Sequence, residues 1–390
     1  MPSHPLRDRT AIVGVGYTEF SKNSGKTTLG LALEACYKAI GDAGLEVTDI
    51  DGVATYAVGD STLSYVVADA LGIEDTAYFL DHLGGGSASQ STIAAAAMAV
   101  HSGVATNVLC YRALNSRSGF RMGGTGREPR TAGDAQYQSP YGHLAPGQAV
   151  AMGARMHMER YGTTKDQLGA VAVTFRQHAS MNERALMRTP ITLDDYHASR
   201  MISDPLRLLD FCLESDGACA FIVTSAERAR DLPQPPVYLS GVGYGPGRTL
   251  YSKAWMDPTE SGARFMAPRL FGMAGVTPAD IDVACIYDAF TYMVVVQMED
   301  LGFCSKGEGG PFVASGALAL GGSLPTNPHG GHLSEAYIHG YNHVLAAVEQ
   351  LRGRAGPRQV EGAEVALVTG APGGAGIALP PQCNGLVLRR

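Results

Sequence analysis

Apolar residues fall along this chain in two alternating rhythms: short runs, and longer stretches at helical spacing closed by glycine. The run Thr10 to Val15 predicts a buried strand, after which Leu29, Leu33, Cys36 and Ile40 recur at helical intervals until Gly44. Gly52 to Tyr56 predicts the next strand. After a loop over Asp81 to Gly86, the Ala-rich stretch Ser87 to Val100 predicts a helix apolar nearly all round, hence buried on several sides. Gly103 ends it, and Asn107 to Tyr111 predicts a strand. The order then returns: strand Val237 to Ser240, helix Ala263 to Met273, strand Val283 to Tyr287, a Gly-rich loop, helix Tyr337 to Leu351, strand Glu364 to Thr369. Strands alternating with helices in this way predict an α/β fold whose mostly parallel or mixed sheet is covered on both faces.

The recurrence extends to residues. Gly14-Val15-Gly16-Tyr17 reappears as Gly241-Val242-Gly243-Tyr244, each after a short apolar run and each expected at a strand-to-loop edge. Gly44 to Asp51 is answered by Gly275 to Asp282 after a similar intervening helix. The chain therefore reads as two duplicated halves, 1–235 and 236–390, with Ser225 to Pro236 as the crossing. A stretch of about 113–205, rich in Arg, His, Met and Gly, breaks the alternation and reads as an insertion over one face. The seam between two such halves is a preferred place for a site.

Charge changes the picture mainly by exclusion. There are 37 carboxylates against 30 Lys and Arg, with no block of like charge, so nucleic acid is not an expected partner. No apolar stretch approaches a bilayer span, and a cytoplasmic protein is expected. Seven cysteines without C-x-x-C spacing predict reduced thiols rather than disulfides or a zinc site.

Several stretches carry a family resemblance: Tyr161-Gly162-Thr163-Thr164, Ser199 to Leu209, Ser215-Asp216-Gly217-Ala218, Gly307-Glu308-Gly309 and Gly330 to Glu335. Together they resemble the sterol-carrier or lipid-transfer branch of the thiolase superfamily, over nearly the whole chain. The resemblance implies a five-layered thiolase-like fold (α-β-α-β-α) of two similar halves, and a homodimer. The departures are as informative. A thiolase sets a nucleophilic cysteine at the start of the buried first-half helix, where the helix dipole lowers its pKa. Here that place reads His82 to Ser87, and the cysteine position falls on Gly85 or its neighbour. The family's second catalytic element falls on Tyr287 of Tyr287-Asp288-Ala289-Phe290, and its G-H-P histidine falls on Tyr337.

Two Gly-rich approaches to helix starts, Gly84 to Gly86 and Gly330-Gly331, offer backbone N–H groups to an acyl thioester oxygen. The expected substrate and oxyanion contacts are Gly85, Gly86, Ser87, Tyr287, Asp288 and His332. Proton transfer then falls to phenols. Tyr341 and Tyr292 stand first, with Tyr337 and Tyr244 next; Tyr337 and Tyr341 lie one turn apart in the predicted helix and would project from one side of it. The same spacing with Val344, Leu345 and Val348 also suits a core stripe. Asp288 reads equally as a cap on backbone or as an orienter of a phenol. His332, His339 and His343 read as acid–base helpers or as scaffold. The His339 and His343 pair lacks the glutamate of H-E-x-x-H, and no metal is expected.

Members of this branch without the cysteine resemble aldolases that remove the last side-chain unit of sterols or bile acids. The resemblance thus implies retro-aldol cleavage of a β-hydroxyacyl-CoA, a 17-hydroxy steroid thioester giving a 17-ketosteroid and propionyl-CoA. No cofactor is implied beyond the coenzyme A of the substrate. The implied partner is a DUF35 protein, of OB-fold and zinc-ribbon type, in a heterotetramer. Two other readings stay open: an acyl-CoA acetyltransferase with a relocated nucleophile, and a non-catalytic carrier of lipid acyl-CoA.

Overall fold

The computed structural model describes residues 4–119, 121, 136–245, 257–374 and 382–390. Its strands are β1 (Thr10–Tyr17), β2 (Gly52–Ala57), β3 (Tyr78–Leu83), β4 (Val108–Asn115), a short pair β5 (Met201–Ser203) and β6 (Leu206–Arg207), β7 (Asp216–Ser225), β8 (Val237–Gly245), β9 (Val283–Cys285), β10 (Val365–Thr369) and β11 (Cys383–Arg389). Its helices are α1 (Thr28–Asp42), α2 (Ser64–Leu71), α3 (Ser89–His101), α4 (Pro146–Tyr161), α5 (Lys165–Ser180), α6 (Leu193–Ala198), α7 (Ala226–Ala229), α8 (Ala263–Ala274), α9 (Thr291–Asp300), α10 (Gly309–Ala314), α11 (Gly331–Ser334) and α12 (Tyr341–Leu351).

Nine strands form one mixed sheet in the order β3-β2-β4-β7-β1-β8-β11-β10-β9. The halves meet at β1 and β8, which pair antiparallel through only Ala11 with Tyr238 and Ile12 with Val237. That short join lets one half fold over the other. Strand alternation sorts the layers: Ala11 and Val13 of β1 face a core with α1 and α2, while Ile12 between them faces a core with α3 and α12. The inner core also takes Leu239, Val368 and Leu386 from the second half, so α3 and α12 lie between the two half-sheets. With α8 packed on the outer face of β8 and β11, the five layers are complete. Among the described residues no helix is long and apolar enough to cross a membrane.

The repeated glycines prove to lie within strands rather than at strand-to-loop edges. A Cβ on Gly14 or Gly16 would run into the backbone of α1, and one on Gly241 would stand 2.7 Å from the Leu270 carbonyl of α8. The echo therefore marks two places where a helix lies directly on a strand. The antiparallel strands β7 and β11 and the edge strand β3 were not predicted. β3 reads as loop because its neighbours cover only one side: burial alternates along it, leaving Phe79 66% and Leu83 84% exposed.

Candidate active site

The turn Gly84-Gly85-Gly86 runs from β3 into a short 3-10 segment, Gly86–Ala88, and on into α3. Each glycine answers to a different neighbour. A Cβ on Gly84 would stand 2.7 Å from that of Ala88, one on Gly85 would stand 2.9 Å from His339 Nε2, and one on Gly86 would fall on the Tyr287 hydroxyl. The turn is held from the second half, where Ala371 N–H donates to the Gly86 carbonyl at 2.9 Å and Asn384 Nδ2 donates to that of Ser87.

Tyr287 is set by its backbone: its N–H donates to Thr369 Oγ1 at 2.9 Å and its carbonyl accepts from Gln297 at 2.8 Å. Its hydroxyl lies 2.7 Å from that of Tyr337. The two tyrosines that the resemblance sets against thiolase catalytic residues are thus joined here as a phenol pair beside the turn. Burial lifts both phenols well above their ordinary pKa, so both stay protonated at neutral pH.

The second Gly-rich turn behaves differently, and here the expected second backbone donor site is corrected. Asp288 reaches the start of α11 and accepts from His332 N–H at 2.8 Å and Leu333 N–H at 3.2 Å. A Cβ on Gly331 would fall on the same carboxylate. These N–H groups are already occupied by an internal anion, and Asp288 and His332 are wholly buried behind Tyr287. Asp288 Oδ1 also lies 3.2 Å from His343 Nε2 and 3.4 Å from His332 Nδ1. The three groups are close enough to suggest a metal site. The rings, however, lie 4.0 Å apart and tilted by 39°, whereas imidazoles radiating from one ion stand roughly 5 Å apart. The cluster fits a proton-sharing network better: His329 Nε2 meets His343 Nδ1 at 2.8 Å, and His332 Nε2 donates to Asn342 Oδ1 at 3.1 Å. Burial, reinforced by the neighbouring His343, holds His329 and His332 well below their ordinary pKa.

The remaining tyrosines separate. Tyr337 and Tyr341 do not share a helix face, because α12 begins only at Tyr341; the chain turns before it at His339 (φ 56°) and Gly340 (φ 104°). A helix cannot run through two left-handed residues. Tyr341 points into the inner core against Tyr56 and Phe221, and its hydroxyl has no partner of hydrogen-bond geometry among the described residues; Thr92 of α3 is the polar group beside it. Tyr292 packs on His157 and donates to the Pro258 carbonyl at 3.0 Å. Tyr244 is 39% exposed, its hydroxyl makes a single long contact among the described residues, 3.4 Å to the Ser91 carbonyl, and burial of its ring raises it to about 12. With Ser87, His82, Ser91 and Cys383 it lines a cavity of about 300 Å³ at the mouth of α3.

A buried cluster beside Gly85 was missed. Arg112 of β4, wholly buried, donates to Asp60 Oδ2 at 2.7 Å, to the Tyr56 carbonyl at 2.6 Å and to His339 Nδ1 at 2.9 Å. Burial works to raise the Asp60 carboxyl, but the Arg112 charge and hydrogen bond outweigh it. The signal was present in the sequence, since a charged residue in the run Cys110 to Leu114 requires a buried partner.

No thiol is poised for attack. Burial raises the pKa of all seven cysteines, with half-buried Cys304 at about 12 and Cys212 and Cys383 raised further.

Residues 248–378 match the thiolase C-terminal domain-like family. The chain is 45% identical, over 94% of its length and 97% of the relative's, to the 17-hydroxy-3-oxo-4-pregnene-20-carboxyl-CoA lyase of Mycobacterium tuberculosis. It is 44% identical, with the same coverage, to the steroid side-chain-cleaving aldolase of Thermomonospora curvata. A solved Ltp2-ChsH2(DUF35) aldolase superposes with a TM-score of 0.90 at 42% identity, over 99% of both chains. By its site and these relatives, the chain belongs to the thiolase superfamily, in the branch of carbon–carbon lyases that includes the steroid side-chain-cleaving aldolases.

Proposed function

We propose that the protein cleaves a 17-hydroxy steroid carboxyl-CoA thioester by a retro-aldol reaction, releasing a 17-ketosteroid and propionyl-CoA. The observation that carries this reading is the turn Gly84 to Gly86, which offers a helix start and paired phenols where a thiolase keeps a thiol. The substrate class follows from the relatives at 45% and 44% identity.

The protonation state of the phenols shapes the step. A phenol held above its ordinary pKa is a poor free base, but it can accept a proton while passing its own onward. Tyr337 and Tyr287 form such a relay. The hydroxyl proton of the substrate enters it as the bond between the carbinol carbon and the thioester α-carbon breaks. The bond's electron pair becomes the thioester enolate, and the relay returns a proton to the α-carbon. The net base requirement is nil, and no cofactor beyond the substrate's coenzyme A is needed. The backbone N–H groups of Gly85, Gly86 and Ser87, in the turn that leads into α3, are the backbone donors assigned to the enolate oxygen. Of the other tyrosines, Tyr244 lines the cavity beside Ser87 and is placed to reach substrate, whereas the Tyr341 hydroxyl is enclosed in the inner core and that of Tyr292 is held by the Pro258 carbonyl.

We further propose a DUF35-type partner, supported by the aldolase complex that the fold matches, in a heterotetramer built on a homodimer. Phe79 and Leu83, exposed on edge strand β3, suit pairing of two copies. Reduced thiols and a CoA substrate suit the cytoplasm.

The test is incubation with the steroid thioester, with and without the partner, following ketone and propionyl-CoA. Tyr337→Phe should lower turnover by about 10²-fold, and adding Tyr287→Phe should cost little more. Absence of ketone in both mixtures would remove the aldolase reading. A covalent acyl-enzyme seen by mass would favour the acetyltransferase, and tight thioester binding without turnover the carrier.

A further inference from the structure

We infer that His339 is a catalytic residue of this reaction: its Nε2–H is the side-chain half of the oxyanion hole that holds the thioester oxygen. The inference rests on the retro-aldol reading and concerns how the enolate is held.

Hydrogen-bond bookkeeping settles the tautomer. A guanidinium only donates, so His339 Nδ1, 2.9 Å from Arg112 Nη2, must accept, and the ring hydrogen lies on Nε2. Arg112 cannot turn away, because its other hydrogen bonds run to Asp60 and to the Tyr56 carbonyl. Tyr56 in turn donates to the His339 carbonyl at 2.7 Å, fastening the backbone. His339 has φ 56°, one of three non-glycine residues with positive φ among those described. Strain of this kind persists only where the surroundings hold it. The residue is 2% exposed, and Nε2 has no partner among the described residues.

What Nε2 faces is the space beside Gly85. A Cβ there would stand 2.9 Å from Nε2 and 3.1 Å from Cε1. The imidazole thus fills the room a side chain at residue 85 would need, and the missing thiol and the placed histidine are two sides of one arrangement. With the His332 and Leu333 N–H groups behind the Gly330-Gly331 turn taken by Asp288, His339 supplies a donor from the second half of the chain. It gives up no proton. Its hydrogen bond strengthens as the carbon–carbon electron pair moves into the enolate and charge gathers on oxygen. The groups around it are Arg112, Asp60, Tyr56 and Tyr337. Burial, aided by the Arg112 charge, holds its pKa at about 3, so the neutral donor is present through the working pH range.

The test compares His339→Phe, which has no donor, with His339→Gln, which keeps an N–H, in the complex with the partner. The readouts are steroid cleavage and deuterium uptake at the α-carbon of propionyl-CoA in D2O, an enolisation that needs no steroid. His339→Phe should lose about 10²-fold in kcat in both, with KM little changed, and His339→Gln should regain much of it. Gly85→Ala, whose methyl displaces the ring, should show a comparable loss, and the Gly85→Ala/His339→Phe pair should lose little more than either alone. Gly85→Ala decides the matter if His339→Phe does not fold. Wild-type rates in His339→Phe, additive losses in the pair, or no recovery with His339→Gln would overturn the role while leaving the aldolase reading intact. Absence of ketone from the wild type would end that reading, and enolisation would still report on His339.

Discussion

The two Gly-rich turns of this protein look alike as strings and do opposite things. Gly330-Gly331 leads into α11, whose first N–H groups are capped by Asp288 from the segment after β9. Gly84 to Gly86 leads into α3 and meets instead a phenol and an imidazole, both neutral. A helix start attracts negative charge in either case. Whether it is a structural joint or a site depends on whether the fold has already supplied the anion. In the second half it has; in the first half that place is open to a substrate.

The sharpest way to break the comparison is Asp288→Ala. It strips the acceptor from two buried N–H groups and removes the anion between two buried imidazoles, and should cost about 3 kcal/mol or more in denaturant unfolding. A loss below about 1 kcal/mol would mean that the second turn is not a joint. Acid is the next probe. His329 and His332 are held below their ordinary pKa, so the unfolded chain binds protons that the folded one does not. Unfolding free energy should therefore fall as pH drops below about 6.5 and recover as it rises. Replacing His329 by Gln should flatten that slope, as read from unfolding curves at a series of pH values. The smallest effect belongs to the rim of the open turn. Tyr244→Phe removes one long hydrogen bond and should leave stability within about 0.5 kcal/mol while raising KM a few-fold. A large loss of kcat would instead move Tyr244 from rim to chemistry.

Part of this was legible in the residues. The cysteine position falling on Gly85 or its neighbour, with Tyr287 and Tyr337 set against the other two, pointed to a reaction without covalent attack. The duplicated strings pointed to two halves, and α3 was readable as buried from its Ala-rich composition. The phenol pair was not legible, because Tyr287 and Tyr337 stand 50 residues apart and meet only through the end of one strand and a loop of the other segment. The break before Tyr341 was hidden too, since an apolar period of 3.6 cannot show that His339 and Gly340 are left-handed. His339 read as one ambiguous histidine among several until Arg112 assigned its proton.

By itself, then, the order of amino acids determined the alternating α/β architecture and the absence of a thiol where the family keeps one. Both are properties of local pattern and of residue identity. Only the tertiary structure decided which helix start is capped, which phenols touch, and which imidazole nitrogen carries hydrogen. Those are matters of a few ångströms between segments far apart in the chain, set by how the two half-sheets close on α3 and α12.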